Sequence, residues 1–300
     1  MRAAPAATTS PSLIRIWLVA ARLPTLSAAI APVLVGTAAA HLSQVFRPIS
    51  FLLALLAAML IQLGTNFVND LYDFRRGADS AERRGPVRGL QSGAITPEQV
   101  RRAIIATFGL ALLIGVYLVA THGWPILIIG TASMLAGIAY TAGPWPLAYH
   151  GLGDVFVFLF FGVVAVVGSA YLQTGGVNVA AALASVAVGL LATAILVVNN
   201  LRDIDTDRSV GKRTLAVIAG RTGTKAEYAL CFLIAYALPL AMRLSGVAFI
   251  WWLPWLTLPL AVFLVRNVLT SQEGPALNRA LRWTGQLHLL FGLLFAGAFL

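Results

Sequence analysis

The sequence predicts an all-α integral membrane protein, built as a bundle of nine transmembrane helices with its N-terminus in the cytoplasm. Hydrophobic residues make up 59% of the 300 positions, charged residues only 11%, and the mean hydropathy is +0.85. A soluble domain has about 25% charged residues, so this chain lacks the polar side chains that would cover a soluble surface. The composition excludes an ordinary soluble enzyme and a disordered chain. Cys231 is the only cysteine, which excludes a disulfide within the chain.

The predicted helices follow from nine apolar stretches, because about 20 helical residues are needed to cross a hydrocarbon core of ~30 Å. We expect residues 1–12 to form a disordered tail and residues 13–300 to form a single transmembrane domain. The two longest connections, about 70–102 and 201–227, are the predicted functional loops. The apolar stretches cover roughly 15–40, 49–69, 103–120, 124–141, 154–172, 178–200, 228–244, 247–268 and 283–300.

The charge distribution supports both the helix count and the orientation. With a cytoplasmic N-terminus, all of the 21 Lys and Arg residues except Arg47 and Arg243 fall on the inner side, as do all 11 acidic residues. An excess of Lys and Arg in cytoplasmic loops is what orients multispanning proteins. The pI of about 10.6 then reflects loops at the inner membrane face and not a nucleic-acid partner.

Two acidic segments lie at predicted helix ends. Spacings of three and four residues place every member of the second segment on one helix face, and every member of the first except Asp79, which is six residues beyond Asp73. The Asn-Asp-x-x-Asp pattern of the first segment reappears as Asn-Asn-x-x-Asp in the second, which hints at two related halves. The alternative is that these are loop-edge residues in water, neutralised by nearby arginines. The segments contain Asn66, Asn69, Asp70, Asp73 and Asp79, and Asn199, Asn200, Asp203 and Asp207.

These residue types point to a metal-bridged diphosphate at the inner face of the membrane. Carboxylate and amide oxygens suit Mg²⁺, which is usually completed by water and substrate phosphate oxygens. The four histidines are scattered, so no zinc site is predicted. A prenyl diphosphate fits, with its chain among the helices and its head at the cytoplasmic side. Loss of diphosphate leaves an electron-poor allylic carbon that needs a dry pocket and aromatic faces. Candidate aromatic side chains are Tyr72, Tyr140 and Phe160, for which packing or lipid contact is the alternative.

Several segments resemble a known family. NDLYDFRRGAD (69–79) and NNLRDIDTD (199–207) are similar to the two aspartate-rich motifs of the UbiA superfamily of intramembrane aromatic prenyltransferases. More narrowly, residues 83–96, 140–154 and 199–217 resemble the branch that prenylates 1,4-dihydroxy-2-naphthoate in menaquinone synthesis. The resemblance implies Mg²⁺-dependent transfer of a polyprenyl chain from polyprenyl diphosphate to this aromatic acid, with loss of CO₂, to give demethylmenaquinone. It also implies a bacterial inner membrane protein whose active site faces the cytoplasm.

The resemblance also assigns residues to roles. One Mg²⁺-diphosphate site would use Asn69, Asp70, Asp73 and Asp79, and the other Asp203 and Asp207 with Asn199 and Asn200. Asp70, Asp73, Asp203 and Asp207 are the expected catalytic carboxylates, and Asn66 lies on the same helix face as the first group.

Four further residues are candidates outside the acidic segments. Arg88 and Lys212 sit beside glycines that allow the backbone to approach a diphosphate closely; a purely topological charge is the alternative for each. Arg22 is expected to hold the carboxylate of the aromatic acid. Asp154, which ends a GLGD turn, would orient or deprotonate a ring hydroxyl, or cap a helix.

Two other functions remain open from the sequence. One is a prenyltransferase of the same superfamily that uses 4-hydroxybenzoate or another aromatic acceptor. The other is a secondary transporter, which would place its charged residues near the bilayer midplane, whereas the acidic residues here map to the inner rim. Prenyl chain length and oligomeric state are not determined by the sequence.

Overall fold

The computed structural model describes residues 13–77, 89–271 and 274–300, and within these ranges the chain is helical and contains no β-strand. We number ten helices. They are α1 (Leu13–Ala21), α2 (Ser27–His41), α3 (Pro48–Arg75), α4 (Pro97–His122), α5 (Trp124–Ala139), α6 (Gly153–Thr174), α7 (Val179–Ser209), α8 (Leu215–Leu244), α9 (Leu258–Thr270) and α10 (Gly274–Gly297). Short 3₁₀ turns at Leu23–Leu26, Leu147–Tyr149 and Leu253–Thr257 connect some of them.

The predicted all-α class is confirmed, and each predicted apolar stretch overlaps at least one helix. Among the described residues, six helical segments are long and apolar enough to cross a membrane: α3, α4, α6, α7, α8, and α9 together with its preceding 3₁₀ turn. Helices α2 and α5 are apolar but shorter. The count of nine spans and the cytoplasmic N-terminus therefore stay predictions, as does the division into one domain.

The first predicted span, 15–40, is not one helix but two. Arg22 adopts a left-handed backbone conformation (φ 50°, ψ 54°), which ends α1, and the 3₁₀ turn Leu23–Leu26 precedes α2. A positive φ is uncommon for residues other than glycine, so this conformation depends on the surrounding contacts. Hydropathy alone does not reveal the break, because apolar residues continue through it.

Local signals start the helices that frame the site. Thr96 and Gln99 form a capping box at the start of α4: each side chain accepts a hydrogen bond from the other residue's backbone N–H. Asn178 caps α7 by accepting a hydrogen bond from the N–H of Ala181 at 3.0 Å. These caps fix where α4 and α7 begin.

The core is formed by α7, which packs against α6, α8 and α10, while α2 packs against α6 and α10. Leu191, Tyr228 and Phe291 are fully buried there. The backbones of α6 and α7 approach each other closely, because a Cβ on Gly162 would lie 2.7 Å from the Cα of Gly189. Neither position therefore tolerates a side chain without separating the helices. Gly162 lies in a wide π-helical turn, Phe158–Val164, a feature often found at functional sites.

Candidate active site

A cavity of about 1460 Å³ lies between the helices and has one polar end. The acidic ends of α3 and α7 both line this end, although they are far apart in the sequence. Most of the residues singled out from the sequence lie in its wall. They are Arg22, Asn66, Asn69, Asp70, Asp73, Tyr140, Phe160, Asn199, Asn200, Asp203, Asp207 and Lys212.

Two predicted residues do not line the cavity. Tyr72 packs against two apolar clusters, one containing Phe67 and the other Phe108, and the Arg75 guanidinium carbon lies 5.5 Å from its ring centroid. Its ring is placed for packing because it lies on the side of α3 that faces α4. Asp154 is buried in the first turn of α6, outside the cavity lining, and its Oδ2 has no hydrogen-bond partner within the described part of the chain.

The N-cap position of α6 is occupied by Leu152, so Asp154 does not cap that helix. Asp79, Arg88 and the tail 1–12 lie outside the described residues.

The first acidic cluster is the C-terminal end of α3 and its partners from other segments. Arg22 Nη2 donates to Asp70 Oδ1 at 2.6 Å, an ion pair made by the residue that ends α1. Asp73 Oδ1 accepts a hydrogen bond from the Tyr149 hydroxyl at 3.2 Å. Asn69 Oδ1 accepts one from Thr141 Oγ1 at 2.7 Å. These contacts join α3 to the residue that follows α1 and to two points of the connection between α5 and α6.

The second acidic cluster, on α7, has its main cationic partner next to it in the sequence. Arg202 donates through Nε and Nη2 to the two carboxylate oxygens of Asp203, at 2.8 and 2.5 Å. The same guanidinium donates to Asn199 Oδ1 at 3.0 Å and to Asn278 Oδ1 on α10 at 2.9 Å. Only 3% of the Arg202 side chain is exposed, so this is a buried, bidentate pair.

Asp207 and Lys212 complete the second cluster. Lys212 Nζ lies 3.3 Å from Asp207 Oδ1, and the Lys212 N–H donates to the Asp207 carbonyl at 2.9 Å. The other carboxylate oxygen of Asp207 is buried, and it has no hydrogen-bond partner among the residues described. A buried carboxylate oxygen without a partner can coordinate a metal ion or accept a hydrogen bond from a ligand.

Tyr149 joins the two clusters. Its hydroxyl donates to Asp73, its ring centroid lies 5.6 Å from Lys212 Nζ, and its carbonyl accepts from the Arg213 N–H at 3.2 Å. The Asp73 and Asp207 carboxylates also interact electrostatically. Burial and the neighbouring Asp73 carboxylate raise the pKa of the Tyr149 phenol above its usual range, so it stays a hydrogen-bond donor.

The donor set fits Mg²⁺ bound together with a substrate. Within the residues that the structure describes, no three Asp, Glu, His or Cys side chains form a metal-binding group by themselves. Mg²⁺ rarely uses such an all-protein cage; it is usually held by one or two carboxylates, with phosphate and water oxygens completing its octahedron. Two carboxylate clusters that line one cavity provide that arrangement.

The rest of the cavity is apolar and deep. The cavity as a whole extends along α3 from Asp73 to Ala54, which are 19 residues apart, so its length is about 28 Å. Phe160 and Phe161 of the wide turn in α6 line it below the acidic clusters. Farther from the clusters it reaches a packed apolar cluster that contains Leu118, Ile126 and Leu172.

Sequence reasoning missed several residues of the site. Arg202 and Tyr149 lie inside the segments that carried the family resemblance, so those segments were the signal for them. Asn278 and Arg282 of α10 also line the cavity. Nothing but hydropathy was recognised in the sequence of α10, so no signal pointed to them.

This arrangement defines a class of multi-pass membrane protein, one that holds a polyanionic head group at the mouth of a cavity suited to an apolar chain. The sequence matches the profile of the UbiA prenyltransferase family over residues 29–295, and the chain belongs to this family. Family membership agrees with the resemblance found in the two acidic segments.

Relatives and solved structures support the same conclusion. The chain is 41% identical to 1,4-dihydroxy-2-naphthoate octaprenyltransferase of Escherichia coli strain K12, over 96% of each chain. It is 33% identical to the protein of the same name in Bacillus subtilis strain 168, over 91% of this chain and 88% of that one.

Similarity to solved structures confirms the fold. The apo structure of a UbiA homolog from Aeropyrum pernix K1 superposes with a TM-score of 0.70 at 18% identity, covering 91% of this chain and 97% of that one. A UbiA homolog from Archaeoglobus fulgidus, bound to DMAPP and Mg²⁺, gives a TM-score of 0.65 at 16% identity, covering 94% and 99%.

Proposed function

We propose that the protein transfers a polyprenyl chain from polyprenyl diphosphate to 1,4-dihydroxy-2-naphthoate, releasing diphosphate and CO₂ and giving demethylmenaquinone in its quinol form. The observation that carries the proposal is one cavity, about 28 Å long in all, with two acidic clusters at its mouth and an apolar passage behind them. The relatives named 1,4-dihydroxy-2-naphthoate octaprenyltransferase support this acceptor over 4-hydroxybenzoate.

The head group is held at the acidic end. Asp70 and Asp73 on α3, and Asp203 and Asp207 on α7, would hold Mg²⁺, with the amides of the two clusters beside them. Bound Mg²⁺ supplies positive charge that stabilises diphosphate as a leaving group. Lys212 is placed to donate to the diphosphate oxygens, and we assign Arg88 the same role from its sequence context.

The chain and the reacting carbon lie in the dry part of the cavity. The apolar wall excludes water, which would otherwise quench the electron-poor allylic carbon. Tyr140 and Phe160 line the cavity, and their ring faces can stabilise positive charge. The aromatic acid then attacks this carbon from beside Arg22, whose guanidinium we assign to the acid's carboxylate.

The reaction balances without a net proton. The allylic C–O bond breaks, and its electron pair leaves with diphosphate. A pair from the aromatic ring forms the new C–C bond at the carbon that bears the carboxylate. The bond to the carboxylate then breaks, its pair returns to the ring, and CO₂ leaves.

We further propose that the protein resides in the bacterial inner membrane with the cavity mouth facing the cytoplasm. The concentration of Lys and Arg in the loops around the acidic clusters supports this orientation.

The test is a product analysis. The purified protein in lipid nanodiscs is given Mg²⁺, prenyl diphosphates of several lengths, and both 1,4-dihydroxy-2-naphthoate and 4-hydroxybenzoate, and the lipids are analysed by mass spectrometry. We expect prenylated, decarboxylated naphthoquinol, no product with a chelator, and recovery when Mg²⁺ is restored. Prenylation of 4-hydroxybenzoate alone would overturn the acceptor. Substrate uptake into sealed vesicles without any prenylated product would favour a transporter.

A further inference from the structure

One polar side chain in the cavity wall has an acceptor atom that the protein itself does not satisfy. Gln62 lies on α3, two turns before Asp70, and is 7% exposed. Its Oε1 is buried and has no hydrogen-bond partner within the described ranges. An unsatisfied buried carbonyl is costly, so a native structure that retains one calls for an explanation.

The neighbouring hydrogen bonds determine which end of the Gln62 amide is unsatisfied. Thr25 Oγ1 donates to the Arg22 carbonyl at 2.8 Å, so towards its other neighbours it only accepts. Asn66 Nδ2 donates to the Ala21 carbonyl at 2.9 Å and to Thr25 Oγ1 at 3.1 Å, which leaves Asn66 Oδ1 as an acceptor. Gln62 Nε2 donates to both acceptors, at 3.1 and 3.4 Å. A flipped amide would bring acceptors together, so the oxygen is the orphan.

The position of Gln62 separates it from the other orphaned atoms. Thr37, Asp154 and His288 also carry buried polar atoms without partners in the part of the chain described, but none of the three lines the cavity. Asp207 lines it at the end assigned to the diphosphate. Gln62 is instead linked through Thr25 to Arg22, the residue assigned to the acceptor's carboxylate.

We propose that Gln62 Oε1 accepts a hydrogen bond from a ring hydroxyl of the aromatic acceptor and thereby determines acceptor specificity. This inference rests on the proposed function. Gln62 and Asp70 are eight residues apart, about 12 Å along α3, so an aromatic acid fits between the Arg22–Asp70 pair and Gln62. In 1,4-dihydroxy-2-naphthoate, the 1-hydroxyl bonds internally to the adjacent carboxylate. The 4-hydroxyl is therefore the donor left for Gln62, and the carbon bearing the carboxylate stays at the diphosphate end.

The experiment pairs two enzymes with two acceptors. We measure kcat/KM for 1,4-dihydroxy-2-naphthoate and for 1-hydroxy-2-naphthoate, which lacks the 4-hydroxyl, in the wild type and in Gln62→Met. The wild type should prefer the dihydroxy acid by about tenfold or more, because the analogue leaves Oε1 unsatisfied. In Gln62→Met this preference should fall towards one. The intrinsic reactivity of each acceptor cancels, because only the change in the ratio between enzymes is used.

The control is Thr37→Val, which removes a buried, unpartnered hydroxyl outside the cavity and should keep the wild-type ratio. If Gln62→Met does not fold, Gln62→Asn provides the second variant, since it withdraws the oxygen by one methylene and should also lower the ratio. A ratio that is the same in Gln62→Met as in the wild type would overturn the role of Gln62 while leaving the proposed function intact. Failure of the wild type to prenylate either naphthoate would instead overturn the proposed function.

Discussion

The two ends of the cavity are built by different rules. At the acidic end, each carboxylate has an identified partner: Arg22 for Asp70, Tyr149 for Asp73, Arg202 for Asp203, and Lys212 for Asp207. At the apolar end, the wall consists largely of alanine, glycine and aliphatic side chains, and their sizes determine how much volume is left for a substrate. Substitutions at the first end should therefore change rate and stability, and substitutions at the second should change which substrates fit.

The largest effect is expected from neutralising one carboxylate in either acidic cluster. Asp73→Asn and Asp203→Asn keep the side-chain size but remove the charge that holds Mg²⁺ and diphosphate in the proposed mechanism. We expect each to lower kcat by about 10²- to 10³-fold, the usual loss when one electrostatic stabiliser of a transition state is removed. The measurement is the rate of prenylated product formation at saturating substrates.

Membrane insertion is the control for this pair: Asp73→Asn should be recovered from the membrane at wild-type yield, whereas Asp203→Asn breaks the buried pair with Arg202, so its rate is compared per inserted molecule. Comparable losses in the two variants would show that both clusters act on one head group. Full activity in either variant would remove that residue from the proposed metal site.

The second-largest effect is expected from breaking the buried ion pair between Arg202 and Asp203. Arg202→Leu removes the bidentate partner of Asp203 at a position where both side chains are at least 90% buried, and breaking such a pair costs about 3–5 kcal/mol. We expect a lower thermal unfolding temperature in detergent. Arg22→Leu is the matched comparison: Asp70 is also buried, at 4% exposure, but the Arg22 side chain is 28% exposed, so water already screens this pair and its removal should cost less stability. Equal losses would show that burial does not distinguish the two pairs.

A smaller effect is expected from removing the Tyr149 hydroxyl, which joins the two acidic clusters. Tyr149→Phe removes the hydrogen bond to Asp73 but keeps the ring beside Lys212, so we expect kcat/KM to fall by about tenfold or less. The phenol has an ordinary pKa of about 10, and burial and Asp73 raise it further. It therefore stays protonated between pH 6 and about pH 9, and the ratio of wild-type to variant activity should be constant over this range. A ratio that changes with pH would contradict this role.

The sequence predicted local features of the site better than contacts between distant parts of the chain. Asp70, Asp73, Asp203 and Asp207 could be placed on helix faces because helical periodicity relates residues three or four apart. The bond between Tyr149 and Asp73 joins residues far apart in the chain, so no local spacing encodes it. Tyr72 and Asp154 show the converse: both lie beside predicted site residues, yet the rotation of their helices turns them out of the cavity. The break at Arg22 was missed because hydropathy is insensitive to backbone conformation.

The smallest effect on rate, and the sharpest on specificity, is expected at the apolar end. Gly115 on α4 lines the cavity, and a Cβ added there meets no atom within 4 Å. Contact between Gly64 and Phe108 sets the register of α3 and α4, which places Gly115 roughly 20 Å deeper than Asp73. Gly115→Leu should therefore obstruct long prenyl chains while leaving turnover of the shortest donor near the wild-type rate.

Competition between short and long prenyl diphosphates, with the products separated by mass spectrometry, measures this change in chain preference. Gly109→Leu is the matched control: it lies on the same helix with open space around its Cα, but outside the cavity lining. It should keep the wild-type distribution of products. An unchanged distribution in Gly115→Leu would mean that the chain leaves the cavity above this depth, since a leucine within its path would exclude it. The apolar end would then bind a prenyl chain without selecting for its length. The two ends would differ only in that the acidic end contains ion pairs.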